Sequence, residues 1–231
     1  MWNGKNKAIT FSFDDGVTQD IRLVEILNKY GLKATFNINS DLLGKDGCLH
    51  YGGDKMVSHN KVQAEQVKDI YAGHEVAVHT LTHPNLTQLD EEEIFRQVDM
   101  DRKALSALCG YDVIGMAYPC GGVNNDDRVA EIIRRRTSIQ YVRTITSTHN
   151  FDLQTNLHRF NPSVYYIEDC FEEIVDRFLA LETDKPQLLY IWGHSYEMDM
   201  GLIAWETFER ICAKLSGKAD IFYGTNKEVL L

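Results

Sequence analysis

The chain has 231 residues, 44% of them hydrophobic, and 24 basic against 34 acidic side chains give a formal net charge of −10 at pH 7. This is enough for one substantial core, and with no linker-like tract, internal repeat or low-complexity segment to mark a boundary, a single domain over 1–231 is expected. The acidic balance works against sequence-independent binding to nucleic acid or an anionic membrane, and neither "MWNGKNKAITF" nor any later segment reads as a signal peptide or membrane span, so a cytoplasmic chain acting on a neutral or cationic substrate is expected.

Strand-like and helix-like segments then take turns. "AITFSF" (8–13) is β-branched and aromatic, and "TQDIRLVEILNKYG" carries Ile21, Val24 and Leu27 at helical spacing up to Gly31. "KATFNI" (33–38) reads as a strand, "VQAEQVKDIYAG" (62–73) as a helix and "EVAVH" (75–79) as a strand. Asp90 with Glu93 resembles a capping box that opens a helix through Leu108, and "VIGMAY" (113–118) is a strand ended by Pro119. "NNDDRVAEIIRRR" is helical, "IQYVR" is a short strand, and "EDCFEEIVDRFLALE" gathers Phe171, Ile174, Val175 and Phe178 on one face. "QLLYIW" (187–192), a helix around 203–216 and "DIFYG" (220–224) follow. About seven strands alternating with helices imply parallel pairing, in an α/β barrel or a doubly wound sheet, and periodicity does not choose between them. Cys48, Cys109, Cys120, Cys170 and Cys212, odd in number and never in a C-x-x-C pair, read as reduced, mostly buried thiols.

In parallel α/β folds the site lies at the carboxyl ends of the strands. Four chemically loaded clusters fall there: Asp14 and Asp15 in "SFDDGV", His79 in "HTLTHPNL", "YPCGG", and "GHSYE". His79 and His83 are four apart, so a helical turn or a tight loop can aim both imidazoles at one ion, with Asp15 as the natural third ligand of an open site. Such a set also suits ferrous iron, but that chemistry leaves Asp14 without a task. For a hydrolase, Asp14 is the carboxylate that takes the proton of the attacking water, and a neighbouring cation relieves the repulsion between the two aspartates. The absence of the H-E-x-x-H glutamate speaks against a thermolysin-like protease.

Taken together and in this order, "FSFDDG", "HTLTHPNL", "AYPCGG" and "WGHS" resemble the polysaccharide deacetylases of carbohydrate esterase family 4, over roughly residues 8–195. The resemblance implies a distorted (β/α) barrel of about seven parallel strands. It also implies Asp14 as base, Asp15, His79 and His83 as ligands of a divalent metal, usually zinc, and His194 as general acid. The substrate would be an N-acetylated amino sugar or oligosaccharide, held by the loop Tyr118, Pro119, Cys120 and Gly121, with the Cys120 backbone N–H beside the developing oxyanion.

The sequence departs from the family pattern at two places, the third motif and the acyl pocket. Ala117 occupies the place of the arginine that usually pairs with the base, and Cys120 that of an aromatic. Arg143 in "YVRT" or Arg159 in "LHRF" is expected to supply that charge from another strand end, the alternative being a base without a partner and with a less depressed pKa. Trp192 stands where a leucine usually lines the acetyl pocket. His50, His59, His74, His149 and His158 read as surface or structural residues, and the acidic runs at 90–93 and 168–173 as helix N-terminal charge and solvated faces. The reading is thus a metal-dependent hydrolase that removes an acetyl group from an amino sugar. Hydrolysis of another non-peptide C–N bond on the same fold, or a carbohydrate-binding relic, are the alternatives.

Overall fold

A computed structural model describes residues 2–231. The first strand, β1 (Lys7–Asp14), is buried along its whole length, as a central parallel strand requires. Its alternation sends Phe11 and Phe13 outward, against Phe208 and Phe36, and turns Thr10, Ser12 and Asp14 inward. Helix α1 (Asp20–Lys29) follows. It buries Asp20, Leu23, Val24 and Leu27, whereas Ile21, expected on the apolar face, is 44% exposed. The stripe runs through 20, 23, 24 and 27, and Ile21 lies about 100° away from Asp20 around the helix.

After β2 (Ala34–Ile38) comes an antiparallel hairpin absent from the sequence reading, β3 (Cys48–Tyr51) and β4 (Lys55–Ser58). The helix expected over 62–73 shrinks to a 3-10 turn at 64–66 and α2 (Val67–Ile70), stopped ahead of Gly73 at φ 82°. Strand β5 (Glu75–Val78) leads to α3 (Glu91–Cys109), whose Asp90 side chain accepts from Glu93 N at 2.8 Å. The expected reciprocal half is missing, because the Glu93 carboxylate accepts instead from Arg96 and Gln97. The chain continues through β6 (Gly115–Ala117), α4 (Asp127–Arg136), β7 (Tyr141–Arg143), the two-residue β8 (Val164–Tyr165), α5 (Phe171–Ala180) and β9 (Gln187–Gly193). Last come α6 (Tyr196–Asp199), α7 (Trp205–Leu215), β10 (Ile221–Tyr223) and α8 (Asn226–Leu230). A full capping box, Thr225 with Glu228, opens α8.

Seven parallel strands lie in the order β7, β6, β5, β2, β1, β9, β8, and they curl into the distorted barrel expected. The pairing of Phe160 with Arg143, four residues before β8 joins β9, carries one segment from the β7 edge to the β9 edge. The last predicted strand, β10, pairs only with Lys7–Ile9 at the start of β1, off this path. Its place in the count of seven is taken by β8, which two residues of pattern could not announce. Among the described residues no helix is long and apolar enough to cross a membrane. All five thiols are free, but only Cys109 and Cys212 are buried; Cys120 and Cys170 are half-buried and Cys48 is exposed on the hairpin.

Candidate active site

The acidic pair sits where β1 stops. Asp14 is its last residue; Asp15 turns into the left-handed region at φ 83° and Gly16 follows at φ 61°. Gly16 is required twice over, since a Cβ there would also meet Ile38 Cγ2 at 2.9 Å. The segment after β4 clamps this turn: Val62 N donates to Gly16 O at 3.0 Å, Lys61 Nζ to Asp15 O at 2.7 Å, and His59 Nε2 lies 3.1 Å from Asp15 Oδ2. His59 therefore belongs to the site rather than to the surface.

His79 follows β5, and its Nδ1 faces Ala117 O at 2.9 Å. That contact makes Nδ1 the N–H donor and leaves the Nε2 lone pair free. His79 Nε2 is buried, has no partner among the described residues and lies 3.8 Å from Asp15 Oδ1. The stretch to His83 is a tight loop rather than a helical turn, with Thr80 at φ 70° and His83 at φ 63°, and Thr80 Oγ1 accepts from His83 N at 3.1 Å. This brings His83 Nε2 to 3.5 Å from Asp15 Oδ1. Left-handed Asp15, Thr80, His83 and Cys120 all fall here, and such backbone is held only where its surroundings over-determine it. An orphaned, desolvated imidazole nitrogen converging with a second imidazole and a carboxylate oxygen is a donor set that suits a divalent ion such as zinc.

Asp14 has a different set of partners. Arg143 reaches it from the end of β7, with Nη2 donating to Oδ1 at 2.5 Å and also to Oδ2, and Asn37 Nδ2 donates to Oδ1 at 2.8 Å. Burial alone would raise the Asp14 pKa, but the charge and hydrogen bond of Arg143, with His79 and His194, outweigh it and hold the carboxyl below its usual value. Arg159 pairs instead with Asn125 and Asp127. Burial works against the Asp15 carboxylate too, yet the His59 hydrogen bond and the Lys61 charge hold its pKa well down.

His194, just past β9, has Nε2 3.9 Å from Asp14 Oδ2 and Nδ1 3.1 Å from Glu197 Oε1. Glu197 also accepts from His194 N at 3.0 Å and from the Tyr165 hydroxyl. Burial pushes the Glu197 carboxyl up to about 8 and the His194 imidazole down, so this pair retains a proton near neutrality. Trp192 stacks on Tyr165 with centroids 4.1 Å apart and covers the Arg143 guanidinium at 4.6 Å.

These groups open on a cleft of about 430 Å³ lined by Asp14, Asp15, His79, His83, Tyr118, Cys120, Gly121, Trp192 and His194, with Ile145, Tyr165 and Tyr196. Pro119 is buried under the loop, its carbonyl accepting from Asn124 Nδ2 at 3.1 Å, and Arg143 lies beneath the cleft.

The polysaccharide deacetylase family profile matches residues 3–136, more than half of the 231-residue chain. The chain belongs to the polysaccharide deacetylase family. Relatives include a peptidoglycan-N-acetylglucosamine deacetylase of Listeria monocytogenes, 28% identical over 131 residues, which are 55% of this chain and 24% of that protein. A bifunctional xylanase/deacetylase of Pseudobutyrivibrio xylanivorans is 30% identical over 120 residues, 52% of this chain and 17% of that one. This family member thus spans a quarter or less of the length of these two relatives. Among solved structures, a family 4 carbohydrate esterase from Streptomyces lividans in complex with acetate superposes with a TM-score of 0.58 at 19% identity, over 96% of this chain and 93% of that one. A family pseudoenzyme from Bacillus anthracis gives the same TM-score at 18% identity, over 98% and 66%. The deacetylase fold is therefore shared with an inactive relative, and activity has to be argued from side chains.

Sequence reasoning missed His59, Lys61, Tyr165, Tyr196 and Glu197 around this deacetylase-family cleft. Glu197 had a readable signal, the i, i+3 spacing from His194 in "GHSYE"; His59 and Lys61, 44 and 46 residues beyond Asp15, had none. Glu168, expected on a solvated acidic face, is instead 2.5 Å from His149 Nε2.

Behind His194, Asp20 is fully buried and accepts from Ser195 Oγ at 2.6 Å and Tyr71 Oη at 2.7 Å. Burial outweighs both bonds and raises its carboxyl to about 7. The native state then holds a proton that the unfolded chain releases near the ordinary carboxylate value, so Asp20 stabilises the fold at low pH and loses that contribution as pH rises toward 7. Relative to wild type, Asp20→Asn should gain stability as pH rises through this window, by at most about 1.4 kcal/mol per pH unit. Denaturant unfolding at pH 5 and pH 8 measures this, and parallel stability curves for the two proteins would refute it.

Proposed function

We propose that the chain is one catalytic domain that hydrolyses the N-acetyl group of an amino sugar or oligosaccharide, with a divalent ion, zinc in the usual case, held by Asp15, His79 and His83. The observation that carries this reading is the partnerless His79 Nε2 converging on Asp15 Oδ1 beside an arginine-paired Asp14. The names of its relatives, deacetylases of peptidoglycan and of chitin, support the substrate class.

When bound, the ion would polarise the acyl carbonyl and acidify the attacking water. Asp14, kept anionic by Arg143, takes the proton of that water. The Cys120 N–H offers a hydrogen bond to the oxyanion, and left-handed backbone sets its direction. His194 gives its Nε2 proton to the departing nitrogen, while Glu197, which holds the proton of the pair, faces Nδ1 and replaces it. Trp192 and Tyr165 wall the space beside these groups. The loop Tyr118, Pro119, Cys120 and Gly121 and the walls Tyr165 and Trp192 carry no charge, which suits a neutral acetamido sugar.

Acetate release from a panel of N-acetylated and O-acetylated sugars, with defined divalent metals added to metal-stripped protein, tests the reading; sugar binding without release from any of them would leave the binding-relic alternative. Metal content is a separate check. The His79→Ala, His83→Ala double variant should lose the stoichiometric ion, and wild-type affinity should fall on acidification because imidazoles coordinate only when neutral. One equivalent of metal retained by the double variant would remove this ligand set.

A further inference from the structure

Beside an apolar cluster that includes Ala8, Leu188 and Tyr190, a run of polar side chains crosses the barrel interior from the cleft toward its far end, and its hydrogen bonds form one connected column. At the top, both partners of Asp14 are anchored a second time on Ser12: Arg143 Nε donates to Ser12 Oγ at 3.1 Å and Asn37 Nδ2 donates to it at 2.9 Å. A third donor comes from the C-terminal helix, Asn226 Nδ2 at 3.2 Å. At the amino ends of the strands Asn226 is fixed on every side. Its Oδ1 accepts from Thr10 Oγ1 at 2.9 Å, and its N–H donates to Thr35 Oγ1 at 2.9 Å. Thr35 Oγ1 in turn donates to Glu75 Oε2 at 2.8 Å, and Lys227 N donates to the same oxygen at 2.9 Å. Ser12, Asn37, Arg143 and Asn226 are all fully buried, so none of these bonds is exchanged for bulk water.

A hydroxyl oxygen has two acceptor lone pairs, so three N–H donors on Ser12 share them, and losing one redistributes the other two. Those two are the groups that aim the Asp14 carboxylate. We infer that Ser12 and Asn226 are positioning residues for Asp14, through which the C-terminal helix, at the end of the barrel opposite the cleft, sets the geometry of the reaction. The inference rests on the reading of Asp14 as base.

Asn226→Ala and Ser12→Ala should each lower kcat about tenfold, a fraction of the roughly hundredfold that a 1 Å misplacement of a reacting group costs. KM should stay within about twofold and the bound metal unchanged, since neither residue lines the cleft. Ser12→Thr, which keeps the hydroxyl, should restore most of the rate. The kinetics are read well below each variant's Tm, on whichever acetylated sugar the wild-type chain hydrolyses. In parallel, the Arg143 Nε–H resonance of the isotope-labelled chain should shift in Asn226→Ala, a readout that needs no substrate. If Asn226→Ala does not fold, Ser12→Ala asks the same question from the other side of the bond. Unchanged kcat and an unmoved Arg143 resonance, with only Tm lowered, would make the column merely structural and overturn the inference. Asp14→Asn separates the two levels: if it retains full turnover, the base assignment itself has failed, whereas an inactive Asp14→Asn beside fully active Ser12 and Asn226 variants refutes the positioning role alone.

Discussion

Asp14→Asn is expected to reduce turnover of an acetylated amino sugar by a factor of about 10² to 10⁴, the usual contribution of general acid–base catalysis, and to destabilise the chain as well. The second effect comes from Arg143, which is 0% exposed and donates to both Asp14 oxygens. Asparagine preserves shape and one acceptor but not the charge, so the guanidinium becomes a buried cation without a counter-ion. Breaking a buried pair from one side typically costs about 3–5 kcal/mol. Arg143→Met breaks the same pair from the other side and leaves the carboxylate uncompensated. The native Asp14 pKa lies below its unfolded value, so the pair's stabilisation is present above that value and disappears as pH falls through the native one. The stability gap between wild type and Arg143→Met should therefore narrow on acidification from pH 7 to about pH 3, around the ordinary carboxylate pKa of about 3.9. The double variant Asp14→Asn, Arg143→Met should be more stable than the sum of the two losses predicts. A gap that does not change with pH, together with strictly additive losses, would mean that the two side chains do not act as a pair.

What could be read in the sequence was what local pattern encodes. Strand ends are visible as apolar β-branched runs that stop at polar residues, so Asp14, Asp15, His79 and His194 could be placed on one face of the fold before any coordinate was known. The missing arginine could be narrowed to Arg143, at the end of the strand-like "IQYVR", or Arg159 in "LHRF", but choosing between them requires barrel curvature. Only the curl of the sheet brings the end of β7 across to the end of β1, 129 residues away in sequence. The hairpin carrying His59 to Asp15 was missed for a different reason. Its strands are four residues each and mostly exposed, too short for the alternation of Leu49 and Tyr51 to stand out as a pattern. What seats the hairpin on the Asp15 turn is tertiary, the contacts of His59, Lys61 and Val62, whereas its one local signal is the turn itself, where Gly52 and Gly53 lie at φ 56° and 85°. The helix predicted over 62–73 fails the same way: tertiary clamping of Lys61 and Val62 onto the Asp15–Gly16 turn keeps that stretch extended before any helix can start.

As the proposed general acid, His194 would set the chemistry apart from simple ester cleavage. An amine leaves a tetrahedral centre poorly unless it is protonated as the C–N bond breaks, whereas the alkoxide or phenoxide of an activated ester depends far less on that proton. His194→Ala should therefore slow N-deacetylation by about 10² to 10⁴ and an activated acetate ester much less, with the bound metal retained because its proposed ligands are Asp15, His79 and His83. Glu197→Gln should follow the same selectivity with a smaller loss. Glutamine keeps an acceptor for the Tyr165 hydroxyl and a polar partner for His194 Nδ1, but it has no carboxyl proton to share with the imidazole. Asp14→Asn provides the contrast, since amide and ester both need the water deprotonated and both should slow. The measurement is a pair of kcat/KM ratios, amide and ester, for each variant beside its metal content. Equal losses on the two substrates in His194→Ala, or loss of the ion with the imidazole, would take the general-acid role away from His194 and make it a packing residue or a ligand.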